Sequence, residues 1–346
     1  MAVLDHYNWE KMKIWLEQKE SNYFLEINKM NNAAKINYAW YLVDVGMYED
    51  FVKSSFVSAL AYFNKAKEAV KDIKAQPELK STILFQIAQT QVFGGDVGGA
   101  EQNMREVDIL IHEYPEADFD MGLYCFVKAR SSLSKGNYAE ALVFVDNNIK
   151  AEAHMPQDTF TAPTYILKSE ILNFMGEYNK SYEIIKRIQK QEISNSHAEH
   201  EIHGRILTQL SRAELGLGLK EDALNNANIA CSIFQKEIEK YKIDTVLNTD
   251  FAIALIIKAN ALADNQKFDE ALLAYNEAEA IYFRRYGTNY QKMDDINYLL
   301  SQGAKVACTV KNSFWKKHFY DQLMSNFDET HPRVKEVKDI CLKSGI

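Results

Sequence analysis

Gly136-Asn137-Tyr138-Ala139-Glu140-Ala141-Leu142 recurs along the chain in altered form. Similar stretches are Gly176-Glu177-Tyr178-Asn179-Lys180-Ser181-Tyr182, Gly218-Leu219-Lys220-Glu221-Asp222-Ala223-Leu224 and Gln266-Lys267-Phe268-Asp269-Glu270-Ala271-Leu272, with an earlier Gly95-Asp96-Val97-Gly98-Gly99-Ala100. Each is a turn residue, an anchor two positions on, and a small residue three further. The small residues Ala100, Ala141, Ser181, Ala223 and Ala271 are spaced 41, 40, 42 and 48 apart, and one step of 41 backwards reaches Ala59. A fixed period of 20 to 50 residues is the mark of a stacked repeat.

Around each small residue the pattern has helical spacing. Ala59, Phe63 and Ala66, Ala223, Ala227 and Ala230, and Ala271, Tyr275 and Ala278 lie at offsets 0, 4 and 7, which share one helix face. Small side chains there let two helices approach closely. Upstream of each turn lies a second apolar helix-period segment, such as Ile83 to Phe93, Leu123 to Leu133, Tyr165 to Met175, Ile206 to Leu215 and Phe251 to Ala263. Each unit therefore reads helix A, short turn, helix B. No such hairpin can bury its apolar face alone, so neighbours must stack. The expected fold is all-α, a right-handed solenoid of about six to seven antiparallel hairpins with irregular capping helices. Capping helices are expected over residues 1–30, repeats over 31–328 and a final cap over 329–346. Trp9, Trp15, Leu16, Phe24 and Ile27 form the off-period pattern at the N-terminal end.

Composition agrees and excludes several classes. The 346 residues hold only 14 Gly and 5 Pro, too few for the turns of an all-β fold. A net charge of −8 argues against direct binding to nucleic acid, which needs clustered Lys and Arg. No apolar run approaches the ~18 residues of a membrane span, and the start lacks the features of a signal peptide. Four widely separated cysteines, Cys125, Cys231, Cys308 and Cys341, read as buried, reduced thiols in a cytoplasmic protein.

The order Gly, hydrophobic at +2, Ala at +5, aromatic at +9 and Ala at +12 resembles the tetratricopeptide repeat (TPR) family. Gly136, Tyr138 and Ala141 fit it best, with Phe268, Ala271, Tyr275 and Ala278 close behind. A small residue in helix A also fits: Ala88, Ala129, Ser169, Ser211 and Ala259. The period near 41 exceeds that family's ~34, which brings the chain closer to kinesin-light-chain-type TPR proteins and to Rap-like peptide-sensing regulators.

Catalytic and metal chemistry find little support. In Ser194 to His203, His197, His200 and His203 spread around a helix rather than converging, and lack the i, i+4 spacing of a zincin. Ser196 with Glu199 reads instead as a capping box. Gly94 to Gly99 lacks the Lys-Ser/Thr ending of a phosphate loop and falls on an inter-helix turn. The aromatics follow the core period. The expectation is a non-enzymatic protein with no catalytic residue, metal or cofactor.

The resemblance implies where function should lie. TPR-like helices A line the concave groove, and the residue after each small position, with its helical neighbours, faces it. On this chain those are Gln89, Arg130, Glu170, Asn173, Arg205, Arg212, Asn260, Asn297 and Lys305. Asn and Gln can pair with an extended backbone, and Arg can clamp acidic groups. The resemblance implies an interaction scaffold that binds a protein or peptide segment in the groove. The alternative is a sensor whose superhelix changes on binding a short signalling peptide. No membrane insertion is expected, and an uncapped apolar terminal hairpin would favour a homodimer.

Overall fold

The computed structural model describes residue 14 and residues 30–51, 55–74, 76–152, 162–194, 201–241, 249–287, 290 and 294–344. The expected N-terminal cap lies almost wholly outside the described residues, as do Ser196, His197, Glu199 and His200. Among the described residues there are fifteen α-helices and no strand. They are α1 (Asn32–Phe51), α2 (Phe56–Val70), α3 (Pro77–Phe93), α4 (Val97–Glu113), α5 (Met121–Ser134), α6 (Tyr138–Glu152), α7 (Ala162–Phe174) and α8 (Tyr178–Ser194). The chain continues through α9 (Glu201–Gly216), α10 (Lys220–Tyr241), α11 (Thr249–Asp264), α12 (Phe268–Tyr286), α13 (Asp294–Thr309), α14 (Ser313–Asn326) and α15 (Pro332–Lys343). They form two compact units, Met1–Leu167 and Lys168–Ile346.

In the first unit α1/α2, α3/α4 and α5/α6 pack as hairpins, and α3 packs on α1 and on α5. In the second, α9/α10, α11/α12 and α13/α14 are hairpins, and the odd-numbered helices α9, α11 and α13 stack in succession, with α15 on α13. Helices α7 and α8 are joined through Ser169 and Ser181, whose hydroxyls lie 2.7 Å apart.

The small residues sit where the hairpins close. Ala88 with Ala100, Ala129 with Ala141, Ser169 with Ser181, Ser211 with Ala223 and Ala259 with Ala271 are each 12 residues apart, and all ten are 0% exposed. Where the A-helix member is serine, its hydroxyl is used inside the hairpin: Ser211 donates to the Ala223 carbonyl at 2.7 Å. At offset +4, Phe63 and Tyr275 are fully buried.

The turns repeat one backbone geometry. Gly95, Gly136, Gly176 and Gly218 all have φ between 74° and 81°, and Gln266 and Lys311 occupy the same place at 62° and 57°. The left-handed residue lets the following amide reach back to the helix end, as in Asn137 N–H to the Ser132 carbonyl at 2.9 Å and Lys267 N–H to the Leu262 carbonyl at 2.8 Å. This satisfies carbonyls that the end of helix A would leave open. The Gly-rich stretch at 94–99 is such a turn, with the Asp96 carboxylate accepting from Gly99 N–H at the start of α4.

Three hairpins also bring a glycine against a phenylalanine, in α9/α10 beside the small pair and in α1/α2 and α13/α14 in place of it. A Cβ on Gly46 would overlap the Phe63 ring, one on Gly204 would lie 2.8 Å from Phe234 Cζ, and one on Gly303 would lie 2.8 Å from Phe319 Cδ2. The degenerate α13/α14 hairpin is held by the last of these, because Lys316 stands where the other B helices carry a small residue. Beside it His318 Nε2 lies 2.7 Å from Glu279 Oε2, and the Tyr290 hydroxyl donates to Glu279 Oε1 at 3.3 Å.

The cysteines correct the sequence expectation of four reduced thiols. Cys125 and Cys231 are free and buried, but Cys308 and Cys341 form a disulfide, with Cα atoms 4.9 Å apart. The pairing could not be read from a separation of 33 residues. It arises because α15 folds back onto α13 and brings its last turn to Cys308. Burial pushes the Cys231 thiol up to about 12 and raises Cys125 as well, so neither is a reactive thiolate at neutral pH.

Two tests follow from this packing. Gly204→Ala should cost about 1–3 kcal/mol by forcing Phe234 aside. Gly98→Ala, with open space at its Cβ, should be neutral or stabilising by up to about 1 kcal/mol; chemical denaturation of both variants measures the contrast. Alkylation in denaturant without reductant should label two cysteines, Cys125 and Cys231, and label all four only after reduction.

Candidate functional site

In each unit the candidate residues sit on odd-numbered helices. In the first unit Gln89 sits on α3, buried, and Arg130 on α5. The Arg130 guanidinium stacks between two rings, 5.6 Å from the Phe93 centroid on α3 and 5.7 Å from that of Phe126 on its own helix. The arginine is thus held on the seam between successive A helices.

The second unit brings more of the expected residues together. Glu170 and Asn173 are on α7, Arg205 and Arg212 on α9, and Asn260 on α11. The Asn173 amide donates to the Gln209 carbonyl at 3.1 Å and to its side-chain oxygen at 3.3 Å, tying α7 to α9. Arg205 has carboxylates around it from three helices. Its Nε lies 3.6 Å from Asp250 Oδ1 on α11, and the charges of Glu201 and Glu170 also act on it.

Arg212, seven residues along the same helix, has a different setting. Its guanidinium lies 4.8 Å from the Phe174 ring centroid on α7. Its Nη1 is buried and has no hydrogen-bond acceptor among the described residues. The Tyr298 hydroxyl on α13 feels the positive charge of Arg212 and of Arg333 on α15. Burial raises the Tyr298 pKa, with the Arg212 charge opposing that rise. Asn260 lies between two tyrosines: it donates to the Tyr298 hydroxyl at 3.0 Å and accepts from the Tyr275 hydroxyl at 2.5 Å. Arg212, Asn260 and Tyr298 therefore come from three successive A helices.

Two expected residues are engaged elsewhere. Asn297 accepts from the Asn326 amide at 2.9 Å, turned toward its own hairpin partner α14. Lys305 is mostly buried and pairs with Glu336 of α15 at 2.6 Å. The structure spends both on holding α14 and α15.

Sequence reading missed Phe93, Phe174, Gln209, Asp250 and Tyr298. Some carried a usable signal. Phe93 and Phe174 each stand five residues after the small position of their helix, opposite the arginine one residue after the next. Tyr298 stands six before Ala304, the same offset that places Arg205 before Ser211. Asp250 and Gln209 had no such mark, because their partners are set by helix-to-helix contact alone. Among the described residues no group of three or more His, Cys, Asp or Glu is placed to hold a metal ion. No described helix is long and apolar enough to cross a membrane.

No protein-family model matches the sequence, and no curated protein matches it. Solved structures do resemble the fold. A Rap protein in complex with competence and sporulation factor aligns over 90% of this chain and 85% of its own, with TM-score 0.65 and 10% identity. NprR in complex with its cognate peptide NprX aligns over 98% and 94%, with TM-score 0.64 and 12% identity. The apo form of the quorum sensor NprR from B. thuringiensis aligns over 99% and 96%, with TM-score 0.56 and 13% identity. The chain is a TPR-like all-α helical repeat protein, similar in fold to Rap and NprR.

The structural worth of Asn260 can be measured through its tyrosine partners. Asn260→Ala leaves the buried Tyr275 hydroxyl without its acceptor and should cost about 1–3 kcal/mol. Pairing it with Tyr275→Phe should recover part of that loss, measured as a double-mutant cycle by urea denaturation.

Proposed function

We propose that the protein is a non-catalytic binding module that holds a short peptide segment against the A-helix wall of its second unit. The observation that carries this reading is Arg212. A buried guanidinium N–H without an acceptor is costly, since buried polar groups are nearly always paired. An aromatic face holds the cation without neutralising it, so the site suits an incoming carboxylate or peptide carbonyl. The Tyr298 hydroxyl, which accepts from the Asn260 amide, keeps its own hydrogen to donate to a peptide carbonyl, and Asn260 positions that hydroxyl. Gln89 and Arg130 supply similar chemistry in the first unit. Asn297 and Lys305, engaged by α14 and α15, are left out of the proposed contact set.

Two modes share this site. In the first the module is a scaffold that grips a segment of a partner protein and changes little. In the second it is a peptide sensor that changes shape. Similarity in fold to Rap bound to competence and sporulation factor, and to NprR bound to NprX, favours a short peptide as the ligand.

The test begins with selection of binders from a random heptapeptide library on the purified chain. Selected peptides should bind Arg212→Ala at least 10-fold more weakly, with its helical spectrum and melting temperature unchanged. Equal affinity for both chains, or no selected peptide, would remove the reading. Small-angle scattering with and without peptide then separates the modes: a changed radius of gyration means a sensor, an unchanged one a scaffold.

A further inference from the structure

Away from that wall, in the first unit, the even-numbered helices α2 and α4 flank a groove whose floor is the start of α3. Its volume is about 340 Å³, within the range of small-molecule sites. Val70, Ile83, Leu84 and Leu110 form its interior, and Ile109 stands exposed at its rim. No aromatic residue lines it. The lining is purely aliphatic, apart from charged side chains whose stems run along it.

Those charges are unequal in sign. Lys67, Lys71 and Lys80 stand around the groove against the single carboxylate of Glu106. Glu106 is taken by Lys67 at 2.8 Å, across from α4 to α2. Lys71 pairs along its own helix with the exposed Glu68. Lys80 has no ion pair among the described residues. In a chain with net charge −8, an aliphatic groove carrying a local cationic excess selects an apolar anion over an apolar cation.

We propose that this groove binds a medium-chain aliphatic carboxylate. The hydrocarbon lies on Ile83, Leu84 and Leu110, and the carboxylate is met by Lys80, the lysine of the three without an ion pair among the described residues. The aliphatic lining excludes stacking as the mode of recognition, and the volume suits one short chain. The site is independent of the peptide reading: it uses none of the same residues, and the one helix it shares, α3, contributes its first half here and Gln89, nearer its other end, there.

The experiment is a methyl NMR titration of the full chain, labelled at Ile, Leu and Val, with decanoate below its micelle concentration. Saturable shifts are expected at Val70, Ile83 and Ile109. Decyltrimethylammonium, with the same chain and the opposite charge, should leave them unmoved. Lys80→Glu should weaken decanoate at least 10-fold, and Ile109→Trp, which fills the groove from its rim, should block it. A third probe, the peptide acetyl-Leu-Leu-Glu-Glu-amide, tests whether the occupant is a segment of a protein. The proposal is overturned if decanoate gives no saturable shift, if the cation binds equally well, or if Lys80→Glu binds as the unaltered chain does. Tighter binding of the peptide than of decanoate would overturn it too, in favour of a partner protein's acidic segment.

Discussion

The contact on which most of the structure depends is the meeting of two small side chains across a hairpin, made in the five hairpins from α3/α4 to α11/α12. At Ala129 and Ala141, or Ser211 and Ala223, neither residue is exposed at all, and two backbones can come this close only if both side chains are short. Each member is reached from the other by 12 residues of chain, with a left-handed turn residue at a constant place between them. That sets the register of helix A on helix B. Every residue at a given offset from the small position then takes a corresponding place in its own repeat. The seam that carries Arg130 carries Arg212 in a later repeat, each against a phenylalanine of the preceding A helix.

Most of the fold was legible because this contact leaves a mark in sequence. The turn glycines, the small residue five later and the aromatic or apolar fill follow from local sterics, and local sterics are written in residue type. The α13/α14 hairpin was harder to read because it closes the other way round. There Gly303 supplies the close approach from helix A and Phe319 fills the space from helix B. The interhelical distance is served equally well, but the ruler fails, since Lys316 holds the position where the others carry Ala or Ser. The Cys308–Cys341 bond was invisible for a related reason. It depends on α15 returning to α13, and nothing local to either cysteine records that return.

The candidate site was legible to a lesser degree. The offset rule found Arg205, Arg212 and Asn260, which successive A helices bring into one wall. The same rule placed Lys305 there, and the structure uses it to hold α15 through Glu336. Arg130, Arg212 and Asn260, each one past a small position, lie on the seam between neighbouring A helices. What a residue at that offset meets is decided by the neighbour: a ring for Arg212, a tyrosine hydroxyl for Asn260, a carboxylate for Lys305. Sequence position sets the place, and tertiary context sets the partner.

Arg205 and Arg212 show how much that partner matters for function. They lie on one helix, seven residues apart, and have the same side chain. Around Arg205, Glu170, Glu201 and Asp250 supply the opposite charge, so an incoming anion would have to displace an ion pair already made. Around Arg212 the neighbour that orients the guanidinium is the Phe174 face, which leaves its charge uncancelled. Fixing a cation by an aromatic face costs it no acceptor, and its buried Nη1 still lacks one among the described residues. Of the two arginines, only Arg212 is therefore held in place without a carboxylate partner among the described residues, and the proposed peptide contact rests on that difference.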